Sequence, residues 1–258
     1  MPELPDLEIF SNNLNKRLGG KIIAKTTVYK TKRLNVTSET LYYELKNTTL
    51  SEVKRVGKGI HFLFSSQQVL EVHLMLKGGF DIVRDEDGIK YKIFSLLFED
   101  GEYLVISDPE SLVKLTLNPE PSPTPDALDM TLDYLKTRLK KRKSKKIKAF
   151  LIDQKIVRGI GNAYVDEILW ESRIAPASLC GKIPENAVNG LFNAIKAVLT
   201  NAIEQIKIHE PDLLKGEFRD FLKIHNRNNR LSPTGQPIHY AKIASKTTYY
   251  SDDQQLYQ

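Results

Sequence analysis

Residues Asn118-Pro119-Glu120-Pro121-Ser122-Pro123-Thr124-Pro125 place four prolines at alternate positions. Each proline fixes φ and removes a backbone donor, so no regular helix can cross this stretch and an extended connector is favoured. The 258-residue chain therefore divides here, and its apolar periodicity differs on the two sides. Before the prolines, Leu7, Phe10, Leu14 and Leu18 recur at the three- and four-residue spacing of an amphipathic helix, which Gly19-Gly20 ends. From Lys21 to Leu117 the pattern shortens to β-rich runs at Ile22 to Tyr29, Ile60 to Phe64, Val69 to Leu76, Tyr91 to Phe98 and Tyr103 to Ser107, with one helical insert near Thr37 to Lys46. After the prolines, Leu132, Leu135 and Leu139 and then Val188, Leu191, Ile195, Val198, Ala202, Ile203 and Ile206 trace helical faces. Asn226 to Gln258 is polar and turn-rich again, with Pro233 to Pro237 as a turn and Thr247 to Tyr250 as a strand. These patterns imply an α+β protein: an N-terminal helix on a β-sandwich or barrel (1–117), a linker (118–128), a helical domain (129–223) and a C-terminal hairpin (224–258).

Composition narrows the function classes. With 41% hydrophobic residues the chain can bury a real core, and no apolar run reaches the ~18 residues of a membrane span. The N-terminus lacks a secretory pattern, so an intracellular, cytoplasmic protein is expected. Cys180 is the only cysteine and the terminal stretch adds only His225 and His239, so neither disulfide nor metal is expected. A net charge of +6 fits a polyanion partner. The densest run, Lys140-Lys141-Arg142-Lys143-Ser144-Lys145-Lys146, is either a nucleic-acid contact or a solvated face.

Met1-Pro2-Glu3 is the stretch with chemical potential. If Met1 is removed, Pro2 becomes a secondary amine, titrating near ~8 as α-amino groups do. Such an amine can attack an electrophilic carbon and give an iminium ion, with a neighbouring carboxyl moving the protons. The plainer alternative is an ordinary helix start, opened by Pro5 and Asp6.

Two distant stretches share one resemblance. Pro2-Glu3-Leu4-Pro5-Asp6-Leu7-Glu8 resembles the start of the formamidopyrimidine-DNA glycosylase and endonuclease VIII family, and Phe150 to Tyr164 resembles that family's helix-two-turn-helix segment. Lys58, His73-Leu74, Asp108-Pro109, Pro119-Glu120-Pro121 and the terminal hairpin extend the likeness over nearly the whole chain. The resemblance implies a bifunctional DNA glycosylase and abasic-site lyase acting on oxidised or ring-opened bases flipped out of the duplex. Pro2 would be the nucleophile, Glu3 the proton donor and acceptor, and Lys58 an assistant in strand cleavage. Lys155, Gly161, Asn162 and Lys246 would contact DNA, with Leu76 and Leu112 wedging into the stack. The expected partner is double-stranded DNA carrying damaged bases or abasic sites, bound by a monomer without a cofactor. His73 is expected to pack in the core.

The sequence departs from the family in two places. The positions of the hairpin's four zinc-binding cysteines hold Leu231, Thr234, Ser251 and Gln254, so the finger is expected to be zincless and held by packing of Ile238, Ile243, Tyr249 and Tyr250. Lys246 stands where the family has an arginine, which keeps the charge and loses the bidentate fork. Leu76, Ser111 and Leu112 stand where bacterial purine-repair members have methionine, arginine and phenylalanine, and Glu110 adds a negative charge to a loop expected to face DNA. These departures motivate an alternative, a non-catalytic binder of damaged DNA. A helix-two-turn-helix used on RNA is a third reading.

Overall fold

A computed structural model describes residues 1–258, which form two compact units: Met1–Pro121 with Ile206–Glu217, and Ser122–Gln205 with Phe218–Gln258. The first unit begins with helix α1 (Leu4–Leu18), whose N-cap, Glu3, has an extended backbone. The Glu3 amide donates to the Asp6 carboxylate at 2.8 Å, satisfying a donor that the helix start would leave orphaned. Leu7, Phe10, Leu14 and Leu18 are buried, as their spacing predicts.

Two four-stranded antiparallel sheets receive that face. One runs in the order β1 (Ile23–Val28), β6 (Lys92–Phe98), β7 (Tyr103–Ser107), β5 (Gly79–Val83); the other runs β2 (Leu50–Val56), β3 (Gly59–Phe64), β4 (Val69–His73), β8 (Lys114–Leu117). Phe80 of β5 meets Phe10 edge-on at 6.4 Å and Phe62 of β3 at 6.1 Å, so one ring joins the helix and both sheets in a single core. Asn15 seats α1 on β2 by accepting the Val53 amide at 2.8 Å. Helix α2 (Ser38–Leu45) is capped by Thr37, whose hydroxyl accepts from the Thr40 amide.

Three strands lie outside the β-rich runs read from sequence. In β2 a register shift between Leu50 and Glu52 breaks the two-residue alternation that marks a strand. β5 opens on glycine, and β8 has four residues, too few for a periodic signal. The run from Val69 to Leu76 also ends early, because the chain leaves β4 after His73 and Met75 takes a left-handed conformation, φ 59°.

The second unit carries helices α3 (Leu132–Lys141), α4 (Ile147–Leu151) and α5 (Asn162–Glu171), the N-terminal part of α6 (Glu185–His209), and the hairpin β9 (Ile238–Ile243) with β10 (Lys246–Ser251). The end of the proline segment is tied to the α4–α5 connection, where the Arg158 amide donates to Pro125 O and the Ala127 amide to Arg158 O, each at 3.0 Å.

The hairpin is not held by the four apolar side chains expected from sequence. Ile243 is buried, whereas Ile238, Tyr249 and Tyr250 are only half-buried, because a two-stranded ribbon offers too little area for a core. Its base is organised instead by Asp253, whose carboxylate accepts from the hydroxyls of Thr234 at 2.6 Å, Ser251 at 2.9 Å and Ser232 at 3.0 Å. Trp170 Nε1 lies 3.4 Å and the Arg173 guanidinium 3.3 Å from the same group. Those hydrogen bonds, Thr234's foremost, hold the Asp253 carboxyl at about 2 despite the upward push of burial.

Zinc does not fit these positions. Leu231 has no donor atom, Thr234 and Ser251 already serve Asp253, and Gln254 is engaged on both sides, accepting from the Ser251 amide and donating to Ile174 O at 2.9 Å each. No other group of three or more histidine, cysteine or acidic side chains is arranged to hold a metal ion.

Candidate active site and nucleic-acid interface

Pro2 and Glu3 are both buried at the head of α1, and Glu3 is 4% exposed. The amino group of the exposed Met1 is ion-paired with Glu217. From α1, Glu8 accepts a hydrogen bond from Arg55 Nε at 2.7 Å, and Arg55 Nη1 donates to Gly57 O at 3.1 Å. Gly57 has φ 62°, a conformation that the tight turn between β2 and β3 requires and that favours glycine. Lys58 follows it, half-buried, so its turn is fastened to the helix that Pro2 and Glu3 open. Glu8 lies in the N-terminal stretch that carried the family resemblance and Arg55 three residues before Lys58, yet only the fold reveals their link.

His73, assigned to the core by its sequence context, has a local task. Its Nδ1 accepts the Met75 amide at 3.1 Å, bracing the turn that presents Leu76. Burial lowers its pKa first; Glu71 opposes that shift, and the positive charge of Lys58 adds to it. A neutral ring with Nδ1 free to accept suits this bracing role.

Leu76 is 50% exposed at that turn, and Leu112 is half-buried on the loop after β7. The buried Asp108 carboxylate shapes this second loop by accepting the amides of Glu110, Leu112 and Val113 at 2.9, 2.6 and 3.0 Å. It holds Ser111 at φ 52°. Glu110 does not stand alone as a negative charge: Lys77, next to Leu76, pairs with it at 3.1 Å. The pair ties the two loops together and offsets the negative charge of Glu110.

In the second unit the two turns between α4 and α5 are braced from within. Gln154 donates to Ile152 O and Ile160 O at 3.0 and 2.8 Å and accepts the Gly159 amide at 2.9 Å. Gly159 has φ 100°, which a side chain would strain. Lys155 is exposed on this connection, its amide bound to Asp153. Gly161, buried, is the N-cap of α5 with an extended backbone, φ −124°. Asn162 is the first helical residue, and its Nδ2 donates to Thr247 O at 3.0 Å.

Lys246 is exposed at the start of β10, after a two-residue turn whose members Ala244 and Ser245 both have positive φ (51° and 60°). Of the basic run, Lys140 to Lys143 are exposed and Lys145 pairs with Asp153. Pro2, Glu3, Lys58, Leu76 and Leu112 thus belong to the first unit, and Lys155, Gly161, Asn162 and Lys246 to the second. Sequence reasoning passed over Gln154 and Lys77: the first lies inside the Phe150 to Tyr164 segment, and the second carries no local signal.

Comparison with known proteins gives a consistent answer. Residues 1–115 match the model described as the formamidopyrimidine-DNA glycosylase N-terminal domain, and residues 118–211 match the formamidopyrimidine-DNA glycosylase H2TH domain. The formamidopyrimidine-DNA glycosylase of Carboxydothermus hydrogenoformans is 32% identical over 239 residues, covering 90% of each chain. That of Enterococcus faecalis is 30% identical over 271 residues, covering 97% of this chain and 95% of the relative. Among solved structures, the complex of Lactococcus lactis Fpg with DNA containing an abasic site superposes with a TM-score of 0.89 at 25% identity, over 98% of this chain and all of that one (100%).

Proposed function

Because the chain belongs to the formamidopyrimidine-DNA glycosylase family, we propose that it excises oxidised or ring-opened bases from duplex DNA in base excision repair and then cleaves the strand at the abasic site. Removal of Met1 frees the Pro2 nitrogen as a secondary amine. That nitrogen attacks the sugar C1′, a C1′–N bond forms as the bond to the base breaks, and the base leaves with a proton. Glu3 donates a proton to the ring oxygen as the sugar opens, leaving an iminium ion between Pro2 and C1′. Loss of a C2′ proton then expels the 3′ phosphate by β-elimination, assisted by Lys58, and water releases the amine. Lys155, Asn162, the α5 N-terminus beside Gly161, and Lys246 hold backbone phosphates, while Leu76 and Leu112 fill the space that the extruded base vacates.

The observation that carries this proposal is the burial of Pro2 and Glu3 at the head of the same helix to which Glu8 and Arg55 fasten the Lys58 turn. The test is borohydride reduction of the protein with an oxidised-base or abasic-site duplex, after mass spectrometry has established that Met1 is absent. A covalent adduct that disappears in Pro2→Gly is expected. No adduct with any lesion overturns the mechanism, and tight lesion binding without an adduct identifies a non-catalytic binder.

A further inference from the structure

The tip of the hairpin is joined to α5 by a buried node that phosphate contact alone does not require. Lys148 of α4 and Asp166 of α5 are both fully buried (0%), with Nζ 2.7 Å from Oδ1. The other carboxylate oxygen of Asp166 accepts from His225 Nδ1 at 2.7 Å and from the Tyr249 amide of β10 at 3.0 Å. His225 is brought there by Glu167, whose carboxylate accepts the amides of Lys223, Ile224 and His225. Lys148 Nζ also donates to Thr247 O at 3.2 Å, the same carbonyl that receives Asn162 Nδ2 at 3.0 Å.

The spacing of these residues gives the node its meaning. Thr247 directly follows Lys246, and Asn162 precedes Asp166 by one helical turn. One carbonyl and one carboxylate thus fix where the Asn162 amide stands relative to the Lys246 backbone. A buried ion pair is a weak source of stability, since desolvation offsets most of the attraction and apolar residues of similar volume often serve as well. Preorganising two contacts, by contrast, removes an ordering cost from every binding event.

We propose that Asp166, held by Lys148, is a positioning residue for DNA: it sets the separation of Asn162 from Lys246 so that both grip phosphates together. This rests on the DNA function proposed above.

The test is a thermodynamic cycle on the full-length protein, using a duplex with a single tetrahydrofuran abasic-site analogue, whose binding needs no chemistry at Pro2. Asp166→Asn is expected to weaken binding about tenfold, the size of one charge-assisted contact. It should also reduce the slope of log affinity against log salt by about 0.9, one phosphate's worth. In an Asn162→Ala/Lys246→Ala background the same substitution is expected to change affinity less than about twofold, because there is nothing left to position. An equal loss in both backgrounds, or an unchanged salt slope, overturns the proposal. Lys148→Met/Asp166→Leu keeps the node filled with apolar volume and guards against a folding artefact: it should melt near the wild type yet show the same loss. Full binding by that variant also overturns the proposal. Wild-type protein that binds no duplex overturns the DNA function itself, and tight wild-type binding with an additive cycle overturns the positioning role alone.

Discussion

The eight-stranded body of the first unit and the two-stranded hairpin of the second solve the same problem with opposite means. In the body, Phe10, Phe62 and Phe80 interlock a helix and two sheets, and stability comes from apolar area removed from water. The hairpin has one fully buried apolar residue in β9, Ile243, and is anchored by two carboxylates: Asp253 at its base and Asp166 near its tip. A ribbon this narrow cannot enclose a core, so directional hydrogen bonds replace area. Directional bonds also fix position, which the phosphate contact proposed for Lys246 requires.

The largest effect that sharpens this contrast is expected from Phe80→Ala. Deleting a large buried ring should lower global stability by about 3–5 kcal/mol in denaturant unfolding. A shift below about 1 kcal/mol would mean that the body does not depend on its apolar interlock. Next comes Asp253→Ala, which should act locally: in hydrogen exchange, the β9 and β10 amides lose protection while those of β3, β6 and β7 keep theirs. Equal loss of protection in both regions would break the comparison.

A smaller effect is expected from pH. The Asp253 carboxyl is depressed to about 2 from an ordinary value of 3.8, so its contribution is present above pH 3.8 and is lost as pH falls through about 2. Hairpin amide protection measured by exchange should therefore persist at pH 4 and be lost near pH 2. Loss already complete at pH 4 would show that Asp253 is not the anchor. The smallest effect is none: a strong chelator should leave the melting temperature unchanged, because hydroxyls and a carboxylate occupy the places of metal ligands. A chelator-induced drop would mean that the hairpin does hold a metal.

How far the sequence could be read follows from what each signal depends on. The buried stripe of α1 and the helical insert at α2 are set by neighbours within a few residues, so local spacing found them, whereas the helix-two-turn-helix was read from its resemblance to a known family. β2, β5 and β8 were missed because a bulge, a glycine and a short length erase periodicity; β2 pairs with its neighbour β3, while β5 and β8 pair with strands not adjacent in the chain, β7 and β4. That the hairpin lacks a set of zinc-binding cysteines followed from counting cysteines. What replaces it did not, since Thr234, Ser251 and Asp253 become neighbours only when the hairpin closes against Trp170 and Arg173.

The same division holds at the site. The sequence by itself determined which atoms are available: a proline that can become a terminal amine, a carboxyl beside it, and lysines and an asparagine suited to phosphates. Only the tertiary structure decided how they are held, through Arg55 between Glu8 and the Lys58 turn, Lys77 against Glu110, and Asp166 among Lys148, His225 and Tyr249. The physical reason is range. Chemical identity belongs to a residue alone, whereas position depends on hydrogen bonds and ion pairs between segments that are, in the case of Asp166 and Tyr249, 83 residues apart in the chain.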